Sequence, residues 1–174
     1  IPTFYGMVAR RYMHEYGTTR EQMAQVAVQS RDNAVCHPAS PMQDRITIDD
    51  VLSSKPISDP LNILDCCLIS DSAGAMIVTS ADRALDLPVP PAWLLGIGEH
   101  HTHEHVTLAP SLTRFGAVES SHAAYTMAGL GPDDMDFAEL YDCFSIVPII
   151  EAEELGLAAR GGGGHLFTNG DAAL

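Results

Sequence analysis

Basic side chains are scarce in this chain: nine Lys and Arg stand against 23 Asp and Glu, for a formal charge of −14. No basic stripe is available to displace counterions from a phosphate backbone, which excludes nucleic acid as the expected partner. An anionic ligand would have to be held locally, by Arg10, Arg11 or Arg114, by backbone N–H groups or by a helix N-terminus. Long apolar runs are also absent. None approaches the roughly 20 residues of a membrane span, and the start has neither the charged nor the apolar region of a secretory signal. A soluble, cytoplasmic protein is the expectation. Cysteines number four, Cys36, Cys66, Cys67 and Cys143. Adjacent Cys66 and Cys67 are poorly placed to pair with each other, and a chain this long needs no staples, so reduced thiols are expected. Ile1 is no initiator and the chain ends on a Gly/Ala-rich run, which reads as an internal fragment.

Hydrophobic residues make up 46% of the chain, too many for global disorder. The 174 residues suffice for one domain or for parts of two. The stretch Phe4 to Tyr16 is dense in long side chains and stops at Gly17, a plausible C-cap. Thr18 and Thr19 precede Glu21 and Gln22 in an overlapping capping-box pattern, which predicts a second helix to about Cys36. Thr47 with Asp50 predicts a short third helix through Leu52. Apolar residues at 75–79, 92–97 and 137–140 predict buried strands. Helices are expected at 117–128, with Ala117, Ala124, Met127 and Ala128 on one face, and at 144–155, closed by Gly156. Gly161 to Gly164 reads as a flexible loop. Three prolines between Leu87 and Pro91 mark the best boundary. Helices alternating with short strands give an α/β class.

The segment Glu139-Leu-Tyr-Asp-Cys-Phe144 sits where a strand hands over to a helix, the kind of junction at which α/β proteins place ligands. Tyr141 there is a donor or proton-exchange group for a developing oxyanion, or else a packed ring. Asp142 orients a partner or caps the helix; Cys143 is a ligand contact, a nucleophile or a buried thiol. His100, His101, His103 and His105, with Glu99 and Glu104, carry metal-ligand chemistry, but no distant Cys/His pair completes a known spacing, so no metal site is assigned.

Six blocks occur in order: Tyr12-Met-His-Glu-Tyr-Gly-Thr-Thr19, Asp59-Pro-Leu-Asn-Ile-Leu-Asp-Cys-Cys67, Ser70-Asp71 followed by small residues, Gly96-Ile-Gly98, Met127-Ala-Gly-Leu130 and Ala138-Glu-Leu-Tyr-Asp-Cys-Phe144. In this order they resemble sterol-carrier-protein-type members of the thiolase superfamily. The resemblance implies a layered thiolase-like α/β fold. Residues 1–86 would supply a loop region and the end of the first thiolase half, and residues 87–174 the start of the second, with strand faces completed by chain outside this window. In such thiolases the block at 141 to 144 usually reads HDCF, and its His helps to build an oxyanion hole. Tyr141 replaces that His here, as in the branch containing steroid side-chain-cleaving aldolases of the lipid-transfer-protein type.

The resemblance further implies chemistry at a carbon–carbon bond next to an acyl-CoA thioester, in lipid or steroid degradation. Retro-aldol cleavage of a β-hydroxyacyl-CoA leads; an acyl transfer through a Cys outside the window, or a non-catalytic acyl-CoA or lipid-binding scaffold, are the alternatives. Tyr141 would be the catalytic residue, Cys67 a contact to the pantetheine arm or a small buried thiol, and Ser70 a further coenzyme A contact. Coenzyme A enters as substrate and no cofactor is implied. Partners would be a second copy of the chain and an OB-fold, zinc-ribbon protein. Ser72 stands where the family commonly has Gly, which leaves less backbone freedom after Ser70-Asp71. The family's nucleophilic Cys would lie upstream of Ile1, and its His and second Cys motifs downstream of Leu174.

Overall fold

The computed structural model describes residues 1–172, so the expected end of the second segment at Leu174 lies outside the described residues. The three N-terminal helices form where their caps predict. Helix α1 (Pro2–Tyr16) opens with Pro, whose missing N–H is needless in a first turn, and ends at Gly17 with φ 74°. Helix α2 (Arg20–Val35) is closed by a reciprocal box: Gln22 N donates to Thr19 Oγ1 at 3.3 Å and Thr19 N donates to Gln22 Oε1 at 2.9 Å. Helix α3 (Ile48–Ser53) repeats the device with Thr47 and Asp50. A small antiparallel hairpin follows, β1 (Pro56–Ser58) with β2 (Leu61–Asn62).

One turn of helix, α4 (Ala81–Ala84), and then α5 (Ala117–Ala128), α6 (Ile146–Glu154) and α7 (Gly163–Thr168) complete the regular elements. Helix α6 is the centre. It packs against α1, α2, α5 and α7, and all its residues are buried except half-buried Glu151. An Ile-Val-Pro-Ile-Ile run is apolar all round, the composition of a helix that faces core on every side. Pro148 is tolerated because it lies in the first turn, where its missing N–H has no intrahelical partner. Ile149 and Ile150 are fully covered, each burial contributing about 1.5–3 kcal/mol.

Two carboxylates close the C-terminal turn of α6 into this core, and each accepts hydrogen bonds from neighbours. Glu153 accepts from the Tyr12 hydroxyl and, at 2.8 Å, from Gly163 N, while its Oε2 lies 3.2 Å from Arg160 Nη1 as an ion pair outside hydrogen-bond geometry. Glu154 accepts from Phe115 N at 2.7 Å and Ala117 N at 2.9 Å, capping α5 in place of the side chain that Gly116 lacks.

Elsewhere the structure departs from the sequence-based expectations. Residues 75–79, 92–97 and 137–140 form no paired strand, and Ile77, Leu94 and Phe137 are 94%, 78% and 76% exposed. A strand is completed by its neighbours' hydrogen bonds, and among the described residues these segments have none. The segment at 92–98 does lie on α5, so closely that a Cβ on Gly96 or Gly98 would collide with the carbonyls of Ala124 and Ser120. The face of α5 turned inward is Ser121 with Ala117, Ala124 and Ala128; Met127, expected there, is 62% exposed. The Gly run is no free loop either: Gly163 and Gly164 are buried at the start of α7, where a Cβ on Gly163 would strike the Ile149 carbonyl.

Candidate functional site

The blocks Leu64-Asp-Cys-Cys67 and Tyr141-Asp-Cys-Phe144, 77 positions apart, meet as a two-residue antiparallel bridge. Cys66 pairs with Phe144, Cys67 N donates to the Cys143 carbonyl at 3.0 Å, and Ser145 N donates to the Asp65 carbonyl at 2.9 Å. This register sets Cys67 directly across from Cys143 and fixes the entry into α6. Asp65 anchors it from beneath. Its Oδ1 accepts from Ser145 Oγ at 2.7 Å, its Oδ2 accepts from Asn62 N at 2.8 Å, and both oxygens take the Arg20 guanidinium, at 3.2 and 2.7 Å. The Asp65 side chain has no solvent exposure and that of Arg20 has 19%. A charge this deep is tolerated only with such a full set of donors.

A cleft of about 430 Å³ opens beside the bridge, between α2 at Val26, Ala27 and Ser30, the loop at Met42 and Ile46, and the segment Cys66 to Leu68. Asp142 and Ser145 also line it, and Asp142 Oδ2 accepts from Ser30 Oγ at 3.0 Å. Asp142 is therefore turned toward α2. It does not cap α6, whose N-cap position is Ser145.

Tyr141, the residue before Asp142, does not itself line the cleft; it is 67% exposed, with its backbone N–H donating to Glu151 Oε2 at 2.9 Å. Its phenol is raised above the ordinary value, first by the neighbouring Cys143 and then by partial burial. A phenol so shifted is neutral and able to donate near pH 7. Cys143 is 5% exposed. Burial pushes its thiol up, partly offset by the Tyr5 hydroxyl that meets it. Cys66 is raised as well, by burial and then by Asp65. The thiolate is the nucleophilic form, so neither thiol is prepared to attack.

Of the three residues predicted from sequence, the structure brings Tyr141 and Cys67 to the bridge, Cys67 lining the cleft. Ser70 is exposed on the extended segment beyond Leu68 and does not line it. The arginines named as anion holders are elsewhere. Arg10 pairs with Asp59, Arg11 with Glu15 at 2.5 Å, and Arg114 reaches Glu119 at 3.9 Å; Arg31 is the one that lines the cleft. In the histidine segment, His101 pairs with Glu99 at 2.8 Å and His105 meets the Phe4 ring edge-on at 5.0 Å. No three His, Cys, Asp or Glu side chains converge as metal ligands among the described residues.

Sequence reasoning missed Tyr5, Arg20, Asp65 and Glu151. Tyr5 stacks on Phe144 at 4.4 Å and its phenol is pushed up to about 12, by burial first and then by Cys143. No local spacing announces these residues: Tyr5, Arg20 and Glu151 fall inside expected helices with no motif of their own. Asp65 alone had a signal, since it stands inside a quoted block.

Comparison with known proteins extends over the same ground. Residues 98–174 match the family described as thiolase C-terminal domain-like. An acetyl-CoA acetyltransferase of Methanothermobacter thermautotrophicus is 39% identical over 98% of this chain and 45% of its own length. A steroid side-chain-cleaving aldolase of Thermomonospora curvata is 37% identical over 95% of the chain and 44% of its length. The solved Ltp2-ChsH2(DUF35) aldolase superposes with a TM-score of 0.86 at 34% identity, covering 96% of this chain and 45% of that one. The chain thus spans less than half the length of these relatives. Residues 98–174 are thus a thiolase C-terminal-like domain, and the chain as a whole has a thiolase-like fold.

Proposed function

We propose that the protein makes or breaks the carbon–carbon bond next to an acyl-CoA thioester, and that its reaction is the retro-aldol cleavage of a β-hydroxyacyl-CoA. The observation that carries this reading is Tyr141: a neutral phenol at the position where the commoner family block has His, close to Cys143 and Cys67 at the bridge. Likeness to an aldolase in sequence and to another in structure supports it. In the reaction the β-hydroxyl loses its proton, the Cα–Cβ bond breaks with its electrons passing to the thioester as an enolate, and Cα takes up a proton. The products are a carbonyl compound and a shorter acyl-CoA. Tyr141 would donate to the thioester oxygen as it becomes negative, a contribution of a few kcal/mol when the donor is held in place.

Cys67 would meet the pantetheine arm in the cleft, and Ser70 the coenzyme further out. Coenzyme A is then substrate, with no separate cofactor. The thiolase alternative is favoured by the acetyltransferase relative and would use a nucleophilic Cys outside this chain, where the family resemblance puts it; burial holds Cys66 and Cys143 away from the thiolate form. The exposed apolar segments at 75–79 and 92–97 would be covered in the whole protein by further strands and a second copy. A partner with an OB-fold and zinc ribbon, in a cytoplasmic complex, belongs to the same proposal. No helix among the described residues is long and apolar enough to cross a membrane.

Incubating the full-length protein with β-hydroxyacyl-CoA and with β-ketoacyl-CoA plus coenzyme A tests the reading. Release of a ketone or aldehyde and a shortened acyl-CoA from the first alone is the expected result. Turnover of only the second would establish the thiolase alternative.

A further inference from the structure

Tyr141 is exposed, and its hydroxyl meets the Cys143 thiol. Its backbone is held by one side chain, Glu151, whose Oε2 accepts the Tyr141 N–H at 2.9 Å from one and a half turns inside α6. Glu151 is the single α6 residue not fully buried. It therefore reaches out of a core-locked helix to the segment that carries the phenol. A neutral N–H held by a carboxylate is a charge-assisted bond, stronger than an ordinary one. We infer that Glu151 is a positioning residue: its carboxylate fixes the backbone at Tyr141 and so sets where the phenol meets the thioester oxygen. This rests on the role given to Tyr141 above.

The environment makes the contact sensitive to pH. Burial raises the Glu151 carboxyl, and Glu154 on the same helix and Asp142 on the preceding segment raise it further, while the Tyr141 N–H lowers it. Tyr5 from α1 and Cys143 also face it as titratable neighbours. Asp142 and Glu154 are the charged groups near it, and both are acidic, so protonation is favoured earlier on acidification than for a free Glu. The protonated form is the weaker acceptor, and activity that depends on the contact falls as pH drops through the raised value.

The test is a double-mutant cycle in the full-length protein with a β-hydroxyacyl-CoA substrate. Glu151→Ala should lower kcat by about 10-fold or more with KM changed less than about 3-fold, since 1 Å of misplacement is costly to catalysis. In a Tyr141→Phe background the same change should have little further effect. Glu151→Gln keeps an acceptor and should stay within about 3-fold at neutral pH, but lose the acid limb of the rate profile. Equal losses in the two backgrounds, or full activity of Glu151→Ala, would overturn the inference. If Glu151→Ala does not fold, an acid limb unchanged in Glu151→Gln overturns it alone. Retained activity of Tyr141→Phe would instead sink the proposed role of Tyr141 itself.

Discussion

The surroundings of α6 and the extended segments at 75–79 and 92–97 have similar apolar content, yet one is a closed core and the other stands open. Ile149 and Ile150 are at 0% exposure; Met76, Ile77 and Val78 are at 87%, 94% and 83%. The difference lies in where the partners are. Helices α1, α2 and α3 satisfy their own backbones through turns and caps encoded within a few residues, and then need only one face covered. A strand leaves half its N–H and C=O groups to a neighbour that can be far away in sequence. Where such a neighbour is present, at Cys66 and Phe144, two residues of pairing suffice to build the site. Local chemistry makes the scaffold, and long-range pairing makes the function.

The largest expected effect comes from breaking that pairing at its anchor. Asp65→Ala leaves Arg20 without its carboxylate and Ser145 without an acceptor, and should cost about 3–5 kcal/mol of stability, the scale for removing one member of a buried ion pair. Denaturant unfolding of the protein measures it; a cost under about 1 kcal/mol would mean that the bridge holds without its anchor. Next, Ile149→Ala should cost about 2–5 kcal/mol, and Ile77→Ala under about 0.5 kcal/mol in the 174-residue chain. Equal costs there would break the comparison, whereas a rise for Ile77 in the full-length protein would sharpen it by showing a covered face.

A smaller effect is expected in alkali. The Tyr5 phenol, ordinarily near 10, is pushed up to about 12 by burial and by Cys143. A raised value in the folded state means that the neutral phenol's contribution is whole below about pH 10 and is lost as pH rises from there through about 12. Tyr5→Phe should flatten part of the stability loss across that window. Tyr12, also raised by burial and by Glu153, keeps its share. An unchanged slope would place Tyr5 in solvent rather than against Cys143 and Phe144.

Much of the scaffold was legible in the sequence because its signals are local. Gly17, the Thr19–Gln22 and Thr47–Asp50 boxes, and Gly129 and Gly156 at positive φ mark helix ends within a residue or two. The expected helix at 117–128 is the observed one. What was illegible depends on distant partners. Glu153 and Glu154 carry no local signal for their place, since Tyr12, Arg160 and the N-terminus of α5 draw them inside. Gly163 and Gly164 read as slack, yet the Ile149 carbonyl and the Gln22 side chain leave no room for a Cβ. At the site, the resemblance pointed to Tyr141 and Cys67. Arg20 and Glu151, which hold the frame around them, have no motif, because each acts across a gap that only the fold closes.

The most direct test is the turnover of Tyr141→Phe in the full-length protein with β-hydroxyacyl-CoA and β-ketoacyl-CoA substrates. The ring is 67% exposed, so removing its hydroxyl should leave thermal stability unchanged. Turnover should fall by about 10²-fold or more, the scale for one oxyanion donor or acid/base group. Wild-type turnover of both substrates by a folded Phe variant would contradict the account and leave Tyr141 a surface residue.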